Sequence, residues 1–349
     1  MKAELILENG MRFDGEAFGY LDSKVGEVVF NTGMTGYQEI LSDPSYYGQV
    51  VVMTFPLIGN YGINFDDFES SSPKVSGFVV REKCHESSNF RAEMELDNYL
   101  RHHKIIGIEG VDTRALTRVI RKNGTMKGVI TTVELTDQEA LKQMNTLDLS
   151  DSVYKVTTKE AYELSGGSKR VAVMDYGVKK SILDQFVERG SHVKVFPAGA
   201  SAEEVMAFNP ELVFLSNGPG NPSDLTEIVG EIRKMIGEVP ITGICLGHQL
   251  LAIALGGRTE RLKFGHRGCN HPVKAVNTGK VTITSQNHGY HISELPEYVE
   301  ATHISMNDGT VEGMRHTLLP IFSVQFHPEA SPGPWDNYHL FDHFLAYAN

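Results

Sequence analysis

The chain has 349 residues, 41% hydrophobic and 22% charged, as expected of a soluble globular protein with two ordinary domains. Its formal net charge of -12 argues against a general nucleic-acid binder, which would concentrate lysine and arginine. No apolar run approaches the ~20 residues of a bilayer span, and MKAELILENG lacks a signal-peptide core, so a cytoplasmic location without membrane contact is expected.

Residues 1 to about 150 read as one domain. Strand-like runs occur at 3–7, 12–13, 28–30, 49–54 and 77–80, with helices predicted over 90–103 and 112–122. The second helix has an Asp112 N-cap and stops before Asn123-Gly124. This mixture predicts an N-terminal α+β or β-rich domain. Residues 151–168 are polar and end in Ser-Gly-Gly-Ser, and they read as a linker.

From residue 169 onward, strands alternate with helices. Strands are predicted at 171–175, 192–196, 212–215, 240–244 and 281–284. Helices are predicted at 179–189, 203–208, 225–236 and 248–255. The strands are short apolar runs without alternation, so the fold class expected is α/β: an open, mostly parallel sheet flanked by helices.

Three cysteines are present, Cys84, Cys245 and Cys269, with no CxxC spacing, and the histidines form no HExxH. Neither a disulfide framework nor a metal site is expected. Cys245 stands apart. It sits in Gly243-Ile-Cys245-Leu-Gly247 between a predicted strand and helix, the arrangement of a nucleophile elbow. The glycines allow close chain crossing, and the helix N-terminus favours a thiolate. The plainer reading, a small buried cysteine, does not account for that frame.

A thiol nucleophile needs a base that can return a proton to the leaving group. His327-Pro328-Glu329 follows a strand-like run, and in an extended segment residues two apart face the same way. The Glu329 carboxylate would then orient the His327 imidazole. An α/β-hydrolase would place its acid before its histidine, so the order here disfavours that reading. Asn217-Gly218-Pro219-Gly220 could supply backbone N–H groups to an oxyanion, together with the Leu246 N–H, or be a tight turn. Gln286-Asn287-His288-Gly289-Tyr290 reads as a polar loop after a strand. No GxxxxGK[ST] phosphate loop is present.

Together these stretches resemble the class I, or triad-type, glutamine amidotransferases: G-x-C-x-G-x-Q at 243–249, H-P-E at 327–329 and N-G-P-G at 217–220. Further stretches resemble the small, glutamine-hydrolysing subunits of carbamoyl-phosphate synthetases. These are FNTGMTGYQEILSDPSY (30–46), FPLIGNYG (55–62), GIEGVDTRALTRVIR (107–121), FGHRGCNHPV (264–273), QNHGY (286–290) and HPEASPGP (327–334). The resemblance implies that Cys245, His327 and Glu329 are catalytic. It implies that Ser45, Gly218, Gly220, Leu246, Gln249, Asn287, Gly289 and Tyr290 bind L-glutamine, in a pocket between the domains. It also implies a large-subunit partner, in a heterodimer or an oligomer of heterodimers. That partner would use ATP and Mg to make carbamoyl phosphate for arginine or pyrimidine synthesis, with no cofactor in this chain. Service to another synthetase, or a catalytically silent scaffold, are the alternatives; the N-terminal block argues against the first and the intact triad against the second.

Overall fold

The computed structural model describes residues 1–348. The chain divides into two compact units, Met1–Leu149 and a second that begins at Ser150. The first contains β1 (Lys2–Leu7), β2 (Arg12–Gly19), β3 (Lys24–Asn31), β4 (Gln49–Met53), β5 (Leu57–Ile58), β6 (Gly77–Val79), β7 (Glu82–Lys83), β8 (Ile106–Glu109) and β9 (Met126–Thr131). Seven of them close a barrel in the order β1-β2-β8-β6-β4-β3-β9, and β5 pairs with β7 outside it. Strand β4 lies parallel to both β3 and β6 and is buried throughout, which explains its unbroken apolar run.

The helices of this unit are α1 (Tyr37–Ser42), α2 (Leu96–His102), α3 (Thr113–Asn123) and α4 (Asp137–Met144). The Asp112 side chain caps α3 by accepting the Ala115 N–H at 2.9 Å. The helix expected over 90–103 is shorter: Phe90 is exposed, and Met94 forms a bridge with Ile63. The apolar spacing there reflects that bridge rather than a helical face.

Residues 151–168 are not a free linker. They carry α5 (Ser152–Val156) and β10 (Tyr162–Ser165). Val153 is buried in the core of the second unit, and Thr157 donates to the Asp175 carbonyl at 2.6 Å. The polar composition is that of an edge strand with one solvated face.

The rest of the unit comprises β11 (Lys169–Asp175), α6 (Lys180–Glu188), β12 (Ser191–Pro197), α7 (Ala202–Met206), β13 (Leu212–Leu215), α8 (Thr226–Met235), β14 (Ile241–Ile244), α9 (Leu246–Ala254), β15 (Arg258–Ala275), β16 (Val281–Glu294), β17 (Val299–Ser305), β18 (Val311–His316), β19 (Ile321–Val324) and α10 (Leu340–Ala346). They form one sheet in the order β10-β12-β11-β13-β14-β19-β18-β16-β15-β17. Strands β12, β11, β13, β14 and β19 are parallel; the remaining pairings are antiparallel. The sheet is therefore mixed rather than mostly parallel. One core packs α7, α8 and α9 against residues such as Val213 and Ile241. The other packs α6 and α10 against Val173, Phe214 and Val324.

Candidate active site

Strand β14 leads directly into Cys245, and α9 begins one residue later. Cys245 has φ 54 and ψ -106, a conformation side chains rarely adopt. Its N–H donates to the Val324 carbonyl (2.9 Å) and its carbonyl accepts the Gln249 N–H (3.2 Å), so the strained turn is tied at both ends. Gly247 is required here by contact: a Cβ would lie 2.1 Å from the Leu215 carbonyl oxygen. Gly243 is less constrained, with its nearest neighbour at 3.1 Å. Leu246 is the first helical residue, so its N–H has no partner within the helix and faces the end where Cys245 sits.

Strand β19, next to β14 with Ile244 opposite Val324, ends three residues before His327, the candidate base. His327 bridges Ser285 on β16, and the chain turns at once, with the Ala330 N–H reaching the His327 carbonyl at 3.2 Å. His327 Nδ1 lies 2.6 Å from Glu329 Oε1. This turn, rather than an extended run, brings the two side chains together. A proton on Nδ1 leaves Nε2 to act as the base, and among the described residues Nε2 has no oxygen or nitrogen partner. Burial pulls the His327 pKa down, but the Glu329 charge, together with hydrogen bonding and charge at Cys245, outweighs it and raises the pKa. The imidazole thus answers to both carboxylate and sulfur.

The glutamate has a second partner that the sequence did not disclose. Lys179, the residue before α6, is 2% exposed, with Nζ 2.8 Å from Glu329 Oε1 and 2.9 Å from the Ala330 carbonyl. Burial alone would raise the Glu329 pKa; Lys179 first and His327 second reverse this and hold it low. Lys179 sits just past the carboxyl end of β11, where side chains converge in parallel sheets. That position was the available signal, obscured because a lysine opening a helix usually faces water.

The 217–220 loop follows β13. Asn217 accepts the Lys179 N–H (3.3 Å) and donates to the Gly177 carbonyl (3.0 Å). A Cβ on Gly218 would meet the Tyr176 carbonyl at 2.1 Å and the Leu246 side chain at 2.9 Å. Gly220 has φ +96. The loop is therefore pressed against both β11's exit and the start of α9.

Residues 286–290 belong to β16 rather than to a loop; their glycine and amides hide strand character that pairing with β15 supplies. The Cys245 sulfur is 3.6 Å from the Asn287 carbonyl oxygen. Gln249 donates both amide hydrogens, to the Tyr290 carbonyl (2.8 Å) and to Gln325 Oε1 (2.9 Å). Its carbonyl oxygen is then what it can offer a ligand. Gly289 faces Arg267, with Nη2 3.4 Å from a would-be Cβ. Ser45 belongs to the first unit, in a turn where its N–H donates to Asp43 Oδ1 at 2.8 Å. Among the described residues one set of potential metal ligands converges, His266, His288 and Glu312, apart from the triad. No described helix is long and apolar enough to cross a membrane.

Residues 5–130 match the family described as carbamoyl-phosphate synthase small chain, CPSase domain, and residues 172–347 match glutamine amidotransferase class-I. The chain is 61% identical to a carbamoyl phosphate synthase small chain of Clostridium perfringens, covering 100% of both chains. It is 55% identical to that of Bacillus caldolyticus, over 99% of this chain and 96% of the relative. A Bacillus subtilis relative, named as a pyrimidine-specific small chain, is 53% identical over 99% of this chain and 95% of its own length.

Proposed function

This chain belongs to the carbamoyl phosphate synthase small chain family, and on that premise we propose that it hydrolyses L-glutamine at Cys245 and passes the ammonia to a large subunit. The observation that carries this reading is the triad: His327 held by Glu329 at 2.6 Å, with its other nitrogen lacking any oxygen or nitrogen partner among the described residues and the Cys245 sulfur among the groups that raise its pKa.

The thiolate attacks the side-chain amide carbon, and the charge moves to the carbonyl oxygen. In this reading the Leu246 N–H, free at the start of α9, and the N–H groups of the 217–220 loop beside it receive it. His327, now an imidazolium, protonates the amide nitrogen, which leaves as ammonia when the C–N bond breaks. A glutamyl thioester remains. His327 then takes a proton from water, the hydroxide attacks the thioester carbon, and glutamate departs as the thiol re-forms. Glu329, held by Lys179, orients the imidazole throughout.

Gly218, Gly220, Leu246, Gln249, Asn287, Gly289 and Tyr290 are assigned to glutamine; Ser45 enters from the family likeness alone. ATP, Mg and bicarbonate are assigned to the large subunit, in a heterodimer or an oligomer of heterodimers. The carbamoyl phosphate serves arginine or pyrimidine synthesis.

The test is Cys245→Ser in complex with the large subunit. Glutamine-dependent synthesis should vanish while ammonia-dependent synthesis persists. Retained glutamine turnover would overturn the assignment.

A further inference from the structure

Three strands of the second unit bring ligand-type side chains together: His266 on β15, His288 on β16 and Glu312 on β18. His266 stands directly opposite His288 in the antiparallel register, so the two rings share one face. Each histidine is 5% exposed and Glu312 is 0% exposed. One ligand atom from each residue lies within 4.8 Å of the other two. His266 Nδ1 is 3.4 Å, and His288 Nε2 4.0 Å, from the same atom, Glu312 Oε1.

The surrounding hydrogen bonds leave both rings in the same difficulty. His266 Nε2 lies 2.7 Å from Asp308 Oδ2, which takes the one proton of a neutral ring, and the Nδ1 lone pair then faces the Glu312 carboxylate. His288 Nδ1 lies 2.7 Å from the Tyr290 carbonyl oxygen, so a proton there leaves the Nε2 lone pair facing Gln286 Oε1 at 2.8 Å. Turning the Gln286 amide over gives no relief. Its Nε2 donates to Glu312 Oε2 (2.8 Å) and to Thr284 Oγ1 (3.1 Å), and the Thr284 proton is committed to the His271 carbonyl. Among the described residues His266 Nδ1 and Glu312 Oε1 have no hydrogen-bond partner, and no lysine or arginine pairs with Glu312. Protonating one ring leaves the other's conflict in place. Protonating both sets two positive rings with centroids 4.9 Å apart.

We propose that His266 Nδ1, His288 Nε2 and Glu312 Oε1 bind a divalent zinc ion that ties β15, β16 and β18 together. One ion gives all three atoms a partner, and the charges of Glu312 and Asp308 match its own.

The outer contacts are those of a metal site. Ligating histidines donate their second N–H to a carboxylate or a backbone carbonyl, which here are Asp308 and Tyr290. Two imidazoles and a carboxylate suit zinc, whereas magnesium and calcium prefer oxygen throughout. Ligand atoms around a tetrahedral zinc stand about 3.3 Å apart, so the three side chains draw together as the ion binds. Gln286 Oε1, beside His288 Nε2, is the nearest further donor. No short motif announces these ligands because they come from separate strands, which is why the sequence led to no expectation of a metal. None of them belongs to the triad, so the site stands apart from the proposed glutamine chemistry.

The test uses the full-length chain without a purification tag, stripped by a chelator and then given zinc chloride alone. Elemental analysis after gel filtration should find about one zinc per chain, and X-ray absorption should show nitrogen and oxygen ligands at ~2.0–2.2 Å without sulfur. Zinc affinity, measured by competition with a chelating dye, should fall about 10- to 100-fold in Asp308→Asn, which keeps all three ligands, and further in Glu312→Leu. Cys245→Ala should keep its zinc. A wild-type chain that retains no stoichiometric zinc overturns the proposal, and that reading needs no variant to fold. So does sulfur around the ion, or loss of zinc in Cys245→Ala, either of which would place the metal at the triad. Wild-type affinity in both Asp308→Asn and Glu312→Leu overturns it as well.

Discussion

Replacing Lys179 with methionine keeps the aliphatic stem and removes the amine that lies 2.8 Å from Glu329. Glu329 is 0% exposed, so His327 becomes its remaining ionic partner. Breaking a buried pair typically destabilises by ~3–5 kcal/mol; because one partner survives, the expected loss is about 3 kcal/mol. After burial, Lys179 is the largest influence on the Glu329 pKa and acts to lower it. A depressed folded-state pKa contributes stability that is present above the unfolded value of ~4.3 and lost as pH falls through the folded value. Without Lys179 the folded-state pKa rises, and the carboxylate loses its charge at higher pH. His327 loses part of the support that raises its own pKa. Replacing a triad acid by its amide costs ~10⁴ in kcat; here the carboxylate remains, so a fall of about 10- to 100-fold is expected. The assay is glutamate release between pH 5 and 9, with urea unfolding measured on the same preparations. The acid limb of kcat should move toward neutral pH. Full kcat with an unmoved acid limb would refute the claim that Lys179 holds the triad's charge.

Two further predictions follow from the same geometry. Gly247→Ala places a methyl 2.1 Å from the Leu215 carbonyl oxygen, so β13 and α9 must separate; urea unfolding should show a loss of about 2–3 kcal/mol, and glutamine hydrolysis should fall with it. Glu329→Gln keeps the shape but removes the charge paired with Lys179 and His327, so glutamine-dependent kcat should fall by about 10³–10⁴, measured as glutamate release.

The parallel half of the second unit was legible because its strands are covered on both faces and read as VAVMD, LVFL or ITGI. The elbow was legible for a related reason: glycines two residues either side of a cysteine encode a close crossing, seen in the contact between Gly247 and Leu215. Of the antiparallel half, the start of β16 (281–284) was legible and the rest was not. Strand β15 runs from a partly solvated start through a buried middle, and its register shifts break the alternation that marks a half-buried strand. The barrel was missed because its closure depends on long-range pairings such as β1 with β9, which no local window contains. Lys179 was invisible as a site residue for a simpler reason: it is an ordinary charged residue until its burial is known.

The in-register neighbours β14 and β19 impose unequal demands on chain length. Cys245 is the first residue beyond one strand and His327 the third beyond the other, with Ile244 directly opposite Val324. The spacing between Cys245 and His327 is thus inherited from the separation of adjacent strands. An inserted residue in the 276–280 turn would lengthen a hairpin and leave that spacing alone. The same insertion between Val324 and His327 would swing the ring off the sulfur, so a descendant of this chain can grow at the first place and is frozen at the second.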